Sequence, residues 1–164
     1  MASTVSAANL KVKITEEVIL DGKDQGGTTE LTIASIKDVS KRIVTIAADD
    51  DATVLVFKST TASADGALDK DTVKYIRITN LDDSNSVNIS LQLDSGEDNS
   101  AADASISHLL EAGRSFIMGT SHDSVAAYTT DASVQTTLHD LESILVDPGS
   151  TAVDVEIFVA SVSS

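Results

Sequence analysis

A chain of 164 residues with 26 acidic and 11 basic side chains carries a net charge of −15 and contains no cysteine. That balance argues against contact with nucleic acid or an anionic membrane, since both demand Lys and Arg to neutralise phosphates. The missing thiols exclude disulfides, thiolate metal sites and cysteine nucleophiles. At this length the chain reads as one domain able to bury about two-thirds of its unfolded surface. Aromatic residues make up only 3% and Trp is absent, so aliphatic side chains must fill the core. Phe57, Tyr75, Phe116, Tyr128 and Phe158 are the few large anchors. No run approaches the roughly 18 to 20 apolar residues of a membrane span, and the opening MASTVSAANLKVK lacks the pattern of a secretory signal.

In chain order, residues 1–9 are small and polar and read as a flexible N-terminal arm, with 10–164 as a single β-sandwich domain. Alternation begins at Leu10, with Val12 and Ile14 on the same side and Lys11 and Lys13 on the other. Glu16 and Glu17 break the rhythm as a bulge would, and Val18 to Leu20 resume it. Asp21 to Gly27 reads as a turn. Strands are expected at Thr29–Ile36, Arg42–Ala47 and Thr53–Lys58, followed by a polar loop from Ser59 to Asp71.

Two further strands, Val73–Thr79 and Val87–Leu93, flank the acidic turn LDDSN. In the first, Val73, Tyr75 and Leu81 should share one side and Ile76 and Ile78 the other, both partly covered. Asp94 to Ala104 is expected as an exposed loop. Ile106–Leu110 and Ser115–Met118 flank Glu111-Ala112-Gly113-Arg114, a four-residue hairpin turn with Gly113 in a left-handed conformation. Ser121 to Ser133 is irregular. Val134 to Val146 fits a helix and a strand about equally, because Leu138, Leu141, Ile144 and Leu145 suit either period. Asp147-Pro148-Gly149 ends that element, and Val153–Val159 alternates as a last strand. The sum is an all-β chain: an antiparallel β-sandwich or jelly-roll-like fold of about nine or ten strands with at most one short helix.

The residues that could carry chemistry do not assemble into a recognised site. Asp49, Asp50 and Asp51, then Asp82 and Asp83, then Asp94, Glu97 and Asp98 could offer oxygens to a hard cation. None fits the spacing of a dedicated calcium loop, so they read as solvated turn residues. His108, His122 and His139 lie far apart and form no zinc-binding pair. Ser121-His122-Asp123 places three triad residue types side by side, which adjacent side chains cannot arrange as a triad. Paired carboxylates of a glycosidase need only spatial proximity, but stacking aromatics are scarce. No catalytic, cofactor-binding or metal residue is therefore assigned, no cofactor is expected, and the chain reads as a non-enzyme.

The strand ending YIRITNLDDSN, the segment LLEAGRSFIMG and the terminal VEIFVAS together resemble small β-rich virion proteins of tailed bacteriophages. The matching positions are Ile76, Ile78, Asn80 and Leu81, then Leu110, Ala112, Gly113, Ser115 and Phe116. Asn80 would end a strand and cap a turn, while Gly113 would permit the hairpin that presents Phe116 to the core. The resemblance covers about residues 73–160 and implies a capsid decoration (cement) protein that binds and stabilises the outer surface of a phage head. It further implies a major capsid (coat) protein as partner, a homotrimer, and assembly in the host cytoplasm onto the virion. Residues 1–9 and one sandwich edge would then meet the coat, with the acidic loops facing solvent. The alternative is a carbohydrate- or receptor-binding adhesion module displayed on a particle as a head fibre or knob.

Overall fold

The computed structural model describes residues 5–59, 66–94, 104–127 and 133–163. Within them the chain forms twelve strands and no helix: β1 (Ala8–Glu16), β2 (Ile19–Leu20), β3 (Lys23–Asp24), β4 (Gly27–Ile46), β5 (Ala52–Lys58), β6 (Leu68–Asp69), β7 (Val73–Asn80), β8 (Val87–Asp94), β9 (Ala104–Leu110), β10 (Ser115–Met118), β11 (Asp140–Asp147) and β12 (Val153–Val162). Nine of these exceed two residues, in line with the expected nine or ten. Tyr128, Glu97, Asp98 and most of the expected 94–104 loop lie outside the described residues.

Two five-stranded sheets run β1-β4-β12-β7-β10 and β6-β5-β11-β8-β9. With the opening β1–β3 segment and the two-residue β6 set aside, eight strands remain. The first neighbours the last (β4 with β12), the second the seventh (β5 with β11), the third the sixth (β7 with β10) and the fourth the fifth (β8 with β9). All four pairings are antiparallel. A long ribbon folded at its middle and wrapped over two sheets gives this order, which is that of a jelly roll. The expected architecture is thus met, and met by strand order as well as by strand content.

Alternation builds the core. Val153, Val155, Ile157 and Val159 of β12, Ile76 and Ile78 of β7, Ile89, Leu91 and Leu93 of β8, and Leu141, Ile144 and Val146 of β11 meet between the sheets. Among the described residues Phe57 is the one buried aromatic there, with Phe116 partly buried against the same cluster, so the core is largely aliphatic. A second, smaller cluster lies on the outer face of the β4-β12-β7 sheet. It joins Tyr75, Ala160 and Ile36 to Leu10, Val12, Ile33 and Phe158, with Tyr75 and Phe158 edge to face at 5.9 Å.

Four local expectations change. Val73 faces the core with Ile76 and Ile78, because the β7–β12 register shifts between Tyr75 and Val73 and turns the strand end over; Leu81 is 45% exposed. The 111–114 turn does not close a hairpin: β9 and β10 belong to different sheets, and the turn arches between them. Gly113 still supplies the positive φ, at 68°. The ambiguous Val134–Val146 segment is a strand only from Asp140 onward, and a bulge between Leu141 and Ser143 sets Leu141 and Ile144 on the same face. A bulged strand thus imitates the i, i+3 spacing of a helix. Finally, Thr29–Ile36 and Arg42–Ala47 are not two strands but parts of one 20-residue β4. The intervening Lys37-Asp38-Val39-Ser40-Lys41 looks like a turn in sequence, yet Asp38 to Lys41 pair with Ser161 to Phe158 of β12 and only Lys37 is skipped, at a register shift.

Candidate functional site

Charged side chains converge at one end of the sandwich. The turn before β7 brings Lys70 and Asp71, the 121–123 turn brings His122 and Asp123, and β11 opens with Asp140. The His122 ring has Nδ1 2.8 Å from Asp140 Oδ1 and 3.3 Å from Asp71 Oδ1, and Nε2 3.1 Å from Asp123 Oδ2. Lys70 Nζ pairs with Asp140 Oδ2, and the Asp123 amide donates to Asp140 Oδ1 at 2.8 Å. Ser121 is fully buried and its hydroxyl donates to the Lys70 carbonyl. The Ser-His-Asp run is therefore a tether: the imidazole points to Asp140.

His122, Asp123 and Asp140 stand close enough to share a metal ion, but the Lys70 ammonium already balances Asp140 and a metal would have to compete with it. Burial alone would push the Asp140 carboxyl up. The Lys70 pair, the Asp123 amide and the His122 ring outweigh that and hold it below the usual carboxylate range. Lys70 mirrors this, raised by Asp140, Asp71 and Asp123 against the pull of burial. The depressed Asp140 contributes stability above the unfolded carboxylate pKa, and that contribution is lost as pH falls through its lower folded value. Melting temperature should therefore fall as the pH drops below about 4, and Asp140→Asn should flatten that acid limb; an unchanged limb in the variant would contradict the pairing.

The other sequence candidates stay apart. Asp82 accepts the amides of Ser84 and Asn85, which holds its carboxyl low and makes it a turn former. Asp49, Asp50 and Asp51 border a shallow depression of about 700 Å³ on the outer face of the second sheet, together with Asn88, Ser90, Gln92, Ser107 and Asp147. His108 lies against Phe116 with ring centroids 5.6 Å apart, and His139 pairs through its backbone with Val125.

The feature that sequence reading underrated is the segment before and within the first half of β4. β1 pairs with Gly27–Ile36 over its whole length, and β2 and β3 close the tip through Asp21-Gly22, both with positive φ. The expected bulge at Glu16-Glu17 is where β1 gives way to β2. The expected 21–27 turn narrows to two residues, with Lys23 and Asp24 pairing back onto Leu20 and Ile19. Ala8 and Asn9 belong to β1.

This hairpin has two unlike faces. Leu10, Val12 and Ile14 oppose Ile33, Leu31 and Thr29, while Lys11, Lys13 and Thr15 oppose Thr32, Glu30 and Thr28. Only the base of the apolar face is covered, by Tyr75 and Phe158. From Lys13 to Thr32 every residue is exposed except Gly26, leaving Ile14 at 47%, Leu31 at 52%, Ile19 at 77% and Leu20 at 62%. The sequence signal was available: two alternating runs on either side of Asp21-Gly22, with apolar residues in matching register. β4 leaves the body at a kink, where Ser35 has φ 63° and pairing shifts on both sides of Ile36.

No family model and no curated protein matches the chain. Among solved structures, a chain from Bacillus endospore appendages, described as a novel family of disulfide-linked pili, is similar at a TM-score of 0.37 and 13% identity, over 76% of this chain and 89% of that one.

Proposed function

We propose that the protein is a structural component of a particle surface, a capsid decoration protein of the tailed-phage kind that assembles as a homotrimer on a major capsid protein. The observation that carries the reading is the hairpin from Ala8 to Ile36, whose distal apolar face is not covered by any of the described residues. Contiguous apolar surface rimmed by polar residues is the mark of an interaction site. The jelly-roll body fits, since viral capsid domains use this wrapping, although lectin domains use it as well. A strongly acidic body suits a protein packed at high density on a particle, because like charge keeps neighbouring assemblies apart.

A second reading, adhesion to a glycan or receptor, is favoured by the depression beside Asp49–Asp51. It presents hydroxyls, amides and carboxylates from β8, β9 and β11 on one face. Immunogold labelling with antibody to the chain, applied to particles from the source culture, tests both. Label over the head surface is the expected result. Label absent from particles would overturn the decoration reading, and binding of the added protein to cells alone would replace it with adhesion.

A further inference from the structure

The hairpin's apolar face begins on the outer face of its own β4-β12-β7-β10 sheet and continues past it. Leu10, Val12 and Ile33 rest on Tyr75 and Phe158, while Ile14, Leu31 and the tip residues Val18, Ile19 and Leu20 follow on the same arm without cover. The same outer face offers further exposed apolar side chains away from the hairpin base. Val39 is opposite Ala160 and Ile43 opposite Glu156, on the Phe158 side of the sheet, and they are 49% and 60% exposed. Ile117 of β10, opposite Arg77, is 44% exposed. One molecule thus carries both an exposed apolar arm and, on the outer face of the same sheet, exposed Val39 and Ile43 on either side of Lys41, whose ammonium pairs with Glu156.

Charge selects the partner. Residues 1–46 hold 6 basic and 6 acidic side chains, leaving 5 basic and 20 acidic in residues 47–164, so the whole −15 resides in the second part. The first part also carries 8 of the 14 exposed large hydrophobics among the described residues. Two bodies meeting through residues 47–164 would repel, whereas the hairpin and the outer face of β4 approach without net charge.

We infer that the occupant of the hairpin's distal apolar face is a second copy of this chain, with the Ile14–Leu20 and Leu31 surface of one copy seated on Val39 and Ile43 of the next. The contact is heterologous, arm to sheet face, so it closes a ring if the rotation allows and otherwise propagates. This deepens the assembly reading above by naming the arm's partner, and it stands without a coat protein.

Light scattering on the full chain tests it with two variants at exposed positions: Ile19→Asp/Leu20→Asp on the arm and Ile43→Lys on the face, where the new cation stands opposite Glu156 and not against a like charge. The wild type is expected to run as an oligomer. Each variant should weaken association by about 30-fold or more, as loss of a central apolar anchor does, with the strand content read by circular dichroism unchanged. Mixing the two variants should restore a complex of two copies and no more, because one intact arm then meets one intact face. A wild type that remains monomeric, variants that keep the oligomer, or a mixture that forms no complex would each overturn the inference. Immunogold label missing from particles while the oligomer persists would defeat the decoration reading alone.

Discussion

Asn80→Ala is expected to lower stability by about 3 kcal/mol, the sum of lost bonds and of polar groups stranded in the interior. In a chain of this size that is a fall of about 6–12 °C in melting temperature. Asn80 is fully buried at the end of β7, and every part of its amide is used. Nδ2 donates to the Asn85 carbonyl at 2.8 Å and the Leu110 carbonyl at 3.2 Å, and Oδ1 accepts the Asp82 amide at 3.0 Å. Its backbone amide donates to Arg114. One side chain therefore ties the 81–86 turn to the arch between β9 and β10. Alanine would leave the Leu110 carbonyl buried without this donor, so the loss should exceed that of a surface bond. Thermal melting measures it, and a shift under about 2 °C would show that water replaces the amide at little cost.

Gly26→Ala should disrupt the hairpin and leave the body standing. A Cβ at Gly26 would sit 2.0 Å from the Glu16 carbonyl oxygen and 3.1 Å from the Glu17 Cα. Both are backbone atoms that cannot swing aside as a flexible side chain would. The strain falls where β1 passes into β2, so pairing of Thr15 with Thr28 and of Glu16 with Gly27 must open first. Amide hydrogen exchange should show lost protection from about Thr15 to Thr28, with β7, β8, β11 and β12 unchanged. Because the arm is the proposed contact, association should fall with it. Retained protection in the hairpin would mean that the junction between β1 and β2 shifts to admit the methyl group.

The fold was legible where alternation is strict. β7, β8 and β12 have buried faces of Val, Ile and Leu at period two, and their bounds were readable to within a few residues. Asn80 and Gly113 were readable as well, because a turn needing a buried amide or a positive φ accepts few residue types. Legibility failed at bulges. The one in β11 imitates helical spacing, and the register shift in β7 carries Val73 to the opposite face. The kink at Ser35 hides the continuity of β4, since the polar stretch after it resembles a loop until its partner strand is known. The convergence of Lys70, Asp71, His122, Asp123 and Asp140 was not legible, because three separate segments meet there and none carries a local signal. The hairpin was visible as strands, but the exposure of its distal face is a fact of tertiary packing.

The continuity of β4 also decides how the molecule would carry load. The strand that forms half of the hairpin runs on, through the kink at Ser35, into a ladder of ten residue pairs with β12. A pull on an engaged arm would travel along the strand axis and load those pairs together in shear, rather than peeling them one at a time. Rupture would then require the ladder to slip as a whole, with the interior residues of β12 dragged past their neighbours. An assembly of copies held by such arms would part at the arm's seat before the body unravels.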